Sequence, residues 1–201
     1  METCNLALAT KKIYDSHLSL FTLKTLRDIL EVRKEATFLS IVKRLVKNKV
    51  LIKIEKGRYL LQNSKIHDFV LANFLYRPSY VSFESALNFY GVLSQFPYEV
   101  TNATSKKTKQ KTFNQKVFSY THIQKKLFWG YEKKDDFLIA VPEKALLDQL
   151  YLASKGLKGI ALDEYDYLRL NIEKLKQYLK KFPQTRQFKN MTRNLKKYVR
   201  L

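Results

Sequence analysis

The stretch Lys34 to Leu61 constrains the fold more than any other. From about Lys34 to Asn48 the apolar residues Phe38, Ile41, Val42, Leu45 and Val46 fall at i, i+3, i+4, i+7 and i+8, the stripe of a helix that buries one side. With no linker between, Val50 to Leu61 turns into a β-rich run broken only at Lys56-Gly57, where glycine permits the positive φ of a tight turn. A helix that feeds straight into a hairpin needs further elements to cover its apolar stripe, and the preceding residues supply them. Asn5 to Ser16 reads as a first helix carrying Leu6, Leu8, Ile13 and Tyr14. Thr22 is placed as N-cap of a short second helix, Leu23 to Leu30, with Leu23, Leu26, Ile29 and Leu30 at helical spacing. Three helices followed by a basic-tipped hairpin, within about sixty residues, is the element order of a winged helix-turn-helix.

The polar stripe of the third helix sharpens this reading. Thr37, Ser40, Lys43, Arg44 and Lys47 lie opposite the apolar stripe, with short hydrogen-bonding side chains early and cations later. A recognition helix has that order, since its first residues meet base edges in the major groove and its basic groups meet phosphates. Lys53, Lys56 and Arg58 extend the basic set along the hairpin. A polar outer face alone would suit any solvated amphipathic helix. The charge of the whole chain argues for the more specific role. With 38 Lys+Arg against 18 Asp+Glu the formal charge is +20 and the pI about 9.9, so the surface carries a positive field suited to a polyanion. That excess is spread over the chain rather than held in one tail, as basic surfaces on folded units require. Thirteen Phe and thirteen Tyr give the chain ample apolar mass for packed cores.

Other classes are poorly supported. No apolar run approaches the roughly 18 residues of a membrane span, and Met1 to Thr10 lacks the pattern of a signal peptide. The protein is therefore expected in the cytoplasm, without a membrane partner. Cys4 is alone, which excludes an internal disulfide framework and a cysteine cluster for zinc. His17, His67 and His122 are far apart, and the five glycines form neither a phosphate loop nor a dinucleotide fingerprint. The expectation is a non-enzyme, with no catalytic residues, no metal and no cofactor.

Residues 1–62 are thus assigned to the winged helix-turn-helix, and 63–201 to a second domain of mixed α+β type with C-terminal helices. Asn63 to Tyr76 reads as a connecting helix that stops before Arg77-Pro78. Tyr80-Val81 reads as a short strand leading into a helix from Ser82, its N-cap, to Gly91, its stop. Glu99 to Thr104, Lys116 to Ile123, Phe128 to Tyr131 and Phe137 to Val141 read as strands separated by Lys106 to Lys111 and Glu132 to Asp136, for which an antiparallel sheet is the economical arrangement. Pro142 opens a helix that ends near Lys155-Gly156.

Several of these segments carry a family likeness. The run Arg77-Pro78-Ser79-Tyr80-Val81-Ser82-Phe83-Glu84-Ser85-Ala86-Leu87, with Tyr90-Gly91, Val100-Thr101, Ile139-Ala140-Val141-Pro142-Glu143-Lys144-Ala145-Leu146-Leu147-Asp148 and, earlier, Lys56-Gly57-Arg58-Tyr59, resembles the AbiEi-type antitoxins and regulators of bacterial type IV toxin-antitoxin and abortive-infection systems. The likeness spans most of residues 20–155. It implies a winged helix that binds double-stranded DNA at its own promoter and represses its operon. It also implies a second domain that neutralises a nucleotidyltransferase-like toxin without a stable complex. The alternative is a stand-alone winged-helix repressor whose second domain senses a ligand or mediates dimerisation. Ser82-Phe83-Glu84 and Pro142-Glu143-Lys144 read as helix starts with no chemistry of their own, and the acidic run Asp163-Glu164-Tyr165-Asp166 as a helix-start patch rather than a metal site.

Asn171 is placed as N-cap of a helix reaching about Lys181, with Leu170 stapled onto Leu175. A last helix is expected over Gln184 to Val199, where Phe188, Met191, Leu195 and Tyr198 mark one face. Arg186, Lys189, Arg193, Lys197 and Arg200 mark another, a candidate second basic surface.

Overall fold

The computed structural model describes residues 5–199 as a mixed α+β chain with eight α-helices and two sheets. It divides into two compact units, Met1–Ile66 and His67–Leu201.

In the first unit, α1 (Leu6–Asp15) starts at Asn5, whose side-chain oxygen accepts the Ala7 N–H, and α2 (Leu23–Leu30) starts at Thr22, whose hydroxyl accepts the Thr25 N–H. A left-handed Glu31, at φ 54°, ends α2. Next come α3 (Glu35–Lys47), β2 (Leu51–Glu55) and β3 (Arg58–Leu61). Leu20–Thr22, expected only to lead into α2, forms β1 and pairs antiparallel with β3, giving the order β1-β3-β2. Phe21 in β1 is fully buried and packs with Ile13, Leu26, Phe38, Leu45 and Leu51, each such side chain contributing about 1.5–3 kcal/mol by leaving water. The turn at Gly57, at φ 75°, lies against the start of α2: the Leu23 N–H donates to the Gly57 carbonyl at 3.1 Å.

The second unit begins with α4 (Asp68–Leu75), five residues later than expected. Asn63 sits at φ 63°, and the Ser64 hydroxyl donates to the Leu61 carbonyl at 2.7 Å, so the chain turns where a helix was anticipated. The sheet of this unit is mixed rather than antiparallel. It contains β4 (Ser79–Val81), β5 (Glu99–Thr104), β6 (Lys109–Phe113), β7 (Lys116–His122), β8 (Tyr131–Lys134) and β9 (Phe137–Ala140), in the order β6-β7-β5-β4-β9-β8. β5 pairs with β7, and β4 with β9, in parallel.

Burial explains the departure. The sequences of β6, KQKTF, and β8, YEKK, are mostly exposed, and lysine-rich strands suit the edges of a sheet, where they block further pairing. The chain passes from β5 to the edge as β6 and returns inward as β7, so β7 runs alongside β5 in the same direction. Both edge strands lie largely in the lysine-rich segments expected to be separators. Conversely, Phe128 to Tyr131 is not a strand: Lys125–Leu127 makes a 3-10 turn and Gly130 takes φ 73°, so only from Tyr131 does pairing resume.

α4 and α5 (Phe83–Phe89) pack against this sheet, α6 (Pro142–Ser154) meets it along β9, and α7 (Ile172–Leu179) and α8 (Arg186–Leu195) pack on α6. α6 is the hub: Glu143 through Leu152 are all buried, and the helix contacts α5, α7, α8 and β9. Thr185 caps α8, which ends at Leu195 rather than Val199 as the chain passes into a turn.

Candidate nucleic-acid interface

At 100° per residue, Ala36, Ser40, Lys43 and Lys47 line the centre of the outward face of α3, with Leu39 and Arg44 on its flanks. All six are exposed, whereas Thr37 is half-buried at the edge of the apolar stripe. The four buried residues of the inner face, Phe38, Ile41, Val42 and Leu45, fix that rotation. Among the described residues neither Lys43, Arg44 nor Lys47 has a carboxylate partner. The acid of the first turn, Glu35, is held by Arg27, whose guanidinium also lies 4.7 Å from the Phe38 ring centre. The outward face of α3 therefore carries positive charge beyond a short polar and apolar start.

Leu39, 38% exposed, and Ala36 were not singled out from the sequence. An exposed small or aliphatic group beside Ser40 is the kind of surface that meets a thymine methyl, but apolar residues in a helical pattern read first as core. The hairpin belongs to the same unit and is tied to the end of α3 by the Val50 N–H, which donates to the Leu45 carbonyl at 2.9 Å. Lys53 and Lys56 are exposed on it. Arg58 is half-buried and ion-paired with Glu55, so its charge is largely compensated.

Of the second basic set, Arg186, Lys189, Arg193 and Lys197 are exposed, and Arg200 lies outside the described residues. Lys189 and Arg193 line an open cleft of about 660 Å³ with Lys176 and Lys180 from α7 and its end and Lys196 just past α8. Arg186 and Lys197 do not line it. Glu173 shares the cleft and holds Lys176 at 3.1 Å.

The motif residues of the second unit do something the sequence did not disclose. Ser82 stands at the N-terminus of α5, but its hydroxyl caps no backbone N–H; it donates to Asp148 Oδ2 at 2.9 Å, and the Tyr80 hydroxyl donates to the same oxygen at 3.0 Å. Lys144 Nζ bonds to Asp148 Oδ1 and, at 3.0 Å, to the Tyr80 oxygen. All four residues are fully buried. Burial pushes the Asp148 carboxyl up and the Lys144 ammonium down, each opposed by the other's charge, and burial raises the Tyr80 phenol. Glu143, expected as a first-turn acid, accepts the Asn171 N–H at 2.8 Å and so ties the start of α6 to the start of α7. With no solvent exposure the cluster offers a substrate no approach, and its role is to lock β4 and the start of α5 onto α6.

Among the described residues no three His, Cys, Asp or Glu side chains gather as a metal ion would require, and no helix is long and apolar enough to cross a membrane. No sequence profile of a known protein family matches the chain, and neither does any curated protein.

Proposed function

We propose that the protein is a DNA-binding autorepressor that also serves as the antitoxin of a type IV toxin-antitoxin system in the bacterial cytoplasm, neutralising a nucleotidyltransferase-like toxin without a lasting complex. In this reading the first unit is a winged helix-turn-helix and α3 is its recognition helix. Ser40, with Leu39 and Thr37 beside it, faces base edges, while Lys43, Arg44, Lys47, Lys53 and Lys56 face phosphates. Arg58 contributes less because Glu55 already holds it. The observation that carries the reading is the outward face of α3, where three cations lack a carboxylate partner among the described residues. The antitoxic half rests on the resemblance of the segments around Ser79–Leu87 and Ile139–Asp148.

Gel-shift titrations against the protein's own promoter test the DNA-binding half. Binding is expected to weaken steeply with salt, and each phosphate contact removed should lower the log-log slope by about 0.9. Lys47→Ala or Lys53→Ala should weaken binding to all sequences, whereas Ser40→Ala should reduce discrimination between promoter and random duplex. A flat salt response would overturn this half.

The simpler reading, a repressor whose second unit senses a ligand, has one observation in its favour. A cavity of about 310 Å³ in that unit is lined by Phe69, Phe89, Phe96 and Tyr98 with Asn88 and Glu99 among its polar groups, a composition suited to a small apolar ligand. A nucleotidyltransferase-like gene beside this one favours the antitoxin, and a metabolic neighbour favours the sensor.

A further inference from the structure

The second unit carries another cationic surface, at the edge of its sheet and apart from the α7–α8 cleft. Tyr76 follows α4, and its half-buried ring meets the Tyr120 ring edge-on at 5.1 Å. In the β6–β7 register Lys109 stands opposite Tyr120 and Lys111 opposite Phe118, so both lysines share the face on which the Tyr76 ring sits. The ammonium groups of Lys106, Lys109 and Lys111 lie 5.7, 5.9 and 5.7 Å from the centre of that ring.

Lys111 also donates to the Leu75 carbonyl at 2.7 Å. Among the described residues Lys106, Lys107 and Lys109 have no carboxylate within ion-pair distance.

The loop that presents these charges is held in place. The Tyr76 hydroxyl donates to the Lys107 carbonyl at 3.1 Å, the Thr108 hydroxyl accepts the His122 N–H at 3.0 Å, and the Lys106 N–H donates to the Thr104 hydroxyl at 3.2 Å. His122 Nδ1 lies 2.9 Å from the Lys106 carbonyl, which can only accept, so this nitrogen carries the proton of the bond. The shallow depression that results, about 670 Å³, is lined by Tyr76, Ser105, Lys106, Lys107, Thr108 and His122, with no acid among them.

Like charges gathered around one ring repel one another, and the arrangement is relieved by an anion that meets several of them together. Lysine ammonium groups act as point charges suited to phosphate, whereas planar carboxylates are better matched by the arginine fork. An aromatic face beside phosphate-binding cations is the pairing found where single strands bind, because an unpaired base has a free π-face to stack and a duplex does not.

We propose that Tyr76 and the lysines of the 106–111 segment form a binding site for single-stranded nucleic acid, with the backbone on Lys106, Lys107 and Lys109 and a base against Tyr76. The site belongs wholly to the second unit and does not depend on the role of α3.

The test uses the full chain with Lys43→Ala, Arg44→Ala and Lys47→Ala, so that α3 contributes little. Fluorescence anisotropy is followed with a labelled oligothymidine, the same strand annealed to its complement, and labelled polyglutamate. The single strand is expected to bind best. Changing Lys106 and Lys109 together to alanine should lower its log-log salt slope by about 1.4, at about 0.7 per phosphate contact on a single strand. Tyr76→Leu should weaken binding roughly ten- to hundredfold with the slope unchanged, and Tyr76→Phe, which keeps the ring and loses only the bond to the Lys107 carbonyl, should weaken it far less. Lys133→Ala with Lys134→Ala, at the opposite edge of the sheet, should leave the slope as it was.

Absence of single-strand binding overturns the proposal, as does an equal slope change from the Lys133 and Lys134 pair, which would indicate diffuse charge. Equal or tighter binding of the duplex or of polyglutamate overturns it too. Should Tyr76→Leu fail to fold, the exposed Lys106 and Lys109 pair still decides the matter.

Discussion

A lysine and an aspartate with no solvent contact keep their charges only through each other and through the hydroxyls around them. Lys144 and Asp148 are one turn apart on α6, with Tyr80 and Ser82 completing the shell of Asp148. The lysine ammonium lies 5.1 Å from the Trp129 ring centre and 5.3 Å from that of Phe182. Gly130 belongs to the same construction: a Cβ there would stand 2.9 Å from Lys144 Cγ, and its φ of 73° disfavours any side chain. Removing one partner strands the other charge, so Lys144→Met or Asp148→Leu alone is expected to cost about 3–5 kcal/mol, while the double change should recover much of that loss. Ser82→Ala should cost about 1–3 kcal/mol, because it removes a donor from a buried acceptor. Trp129 is the only tryptophan of the chain, so its fluorescence in urea follows this unit and supplies the double-mutant cycle. A double variant no more stable than the singles would show that a stranded charge is not the source of their loss.

At the scale of elements, α3 lacks a side-chain cap, because its N-cap residue is Lys34. The backbone there is extended, at φ −73° and ψ 121°, as a capping serine requires. Lys34→Ser is expected to stabilise the first unit by about 1 kcal/mol, with slower hydrogen exchange at the Ala36 or Thr37 N–H. Unchanged exchange there would mean the serine finds another partner. The helices that sequence located best, α2, α3 and α6, each combine an apolar period with a clear start or stop, at Thr22, at the switch to Val50, and at Pro142. The strands β6 and β8 escaped because each has one neighbour and an exposed, lysine-rich pattern, which locally resembles a loop. β1 escaped because three residues carry no period, and only the burial of Phe21 and the pairing with β3 reveal it. The cations of α3 were legible because the apolar stripe fixes their face. The cluster around Asp148 was not, since Ser82 before a helix reads as a cap whether or not its hydroxyl turns elsewhere, and Tyr80 and Asp148 meet only through the tertiary fold.

For the whole molecule the question is whether its two units serve one activity or two. The excess of positive charge extends over both, with 13 basic against 6 acidic residues in positions 1–62 and a further excess beyond them, so charge alone does not separate the roles. The cores do, because each unit packs its own buried cluster: Phe21, Leu26 and Phe38 in the first, Tyr80, Leu146 and Phe188 in the second. Replacing Lys43, Arg44 and Lys47 by alanine touches neither core, since all three side chains are exposed, and should change stability by no more than about 0.5 kcal/mol per site. Promoter binding should be lost, because three phosphate contacts at about 0.9 of slope each dominate a small interface. If the second unit carries the antitoxic activity, this triple variant should still protect cells that express the partner toxin, and colony growth on co-expression measures it. Lys144→Met should show the reverse pattern in the same assay, with promoter binding kept and protection weakened as the second unit loosens. Loss of protection in the triple variant, with the protein still folded, would tie toxin neutralisation to DNA binding and leave repression as the protein's one activity.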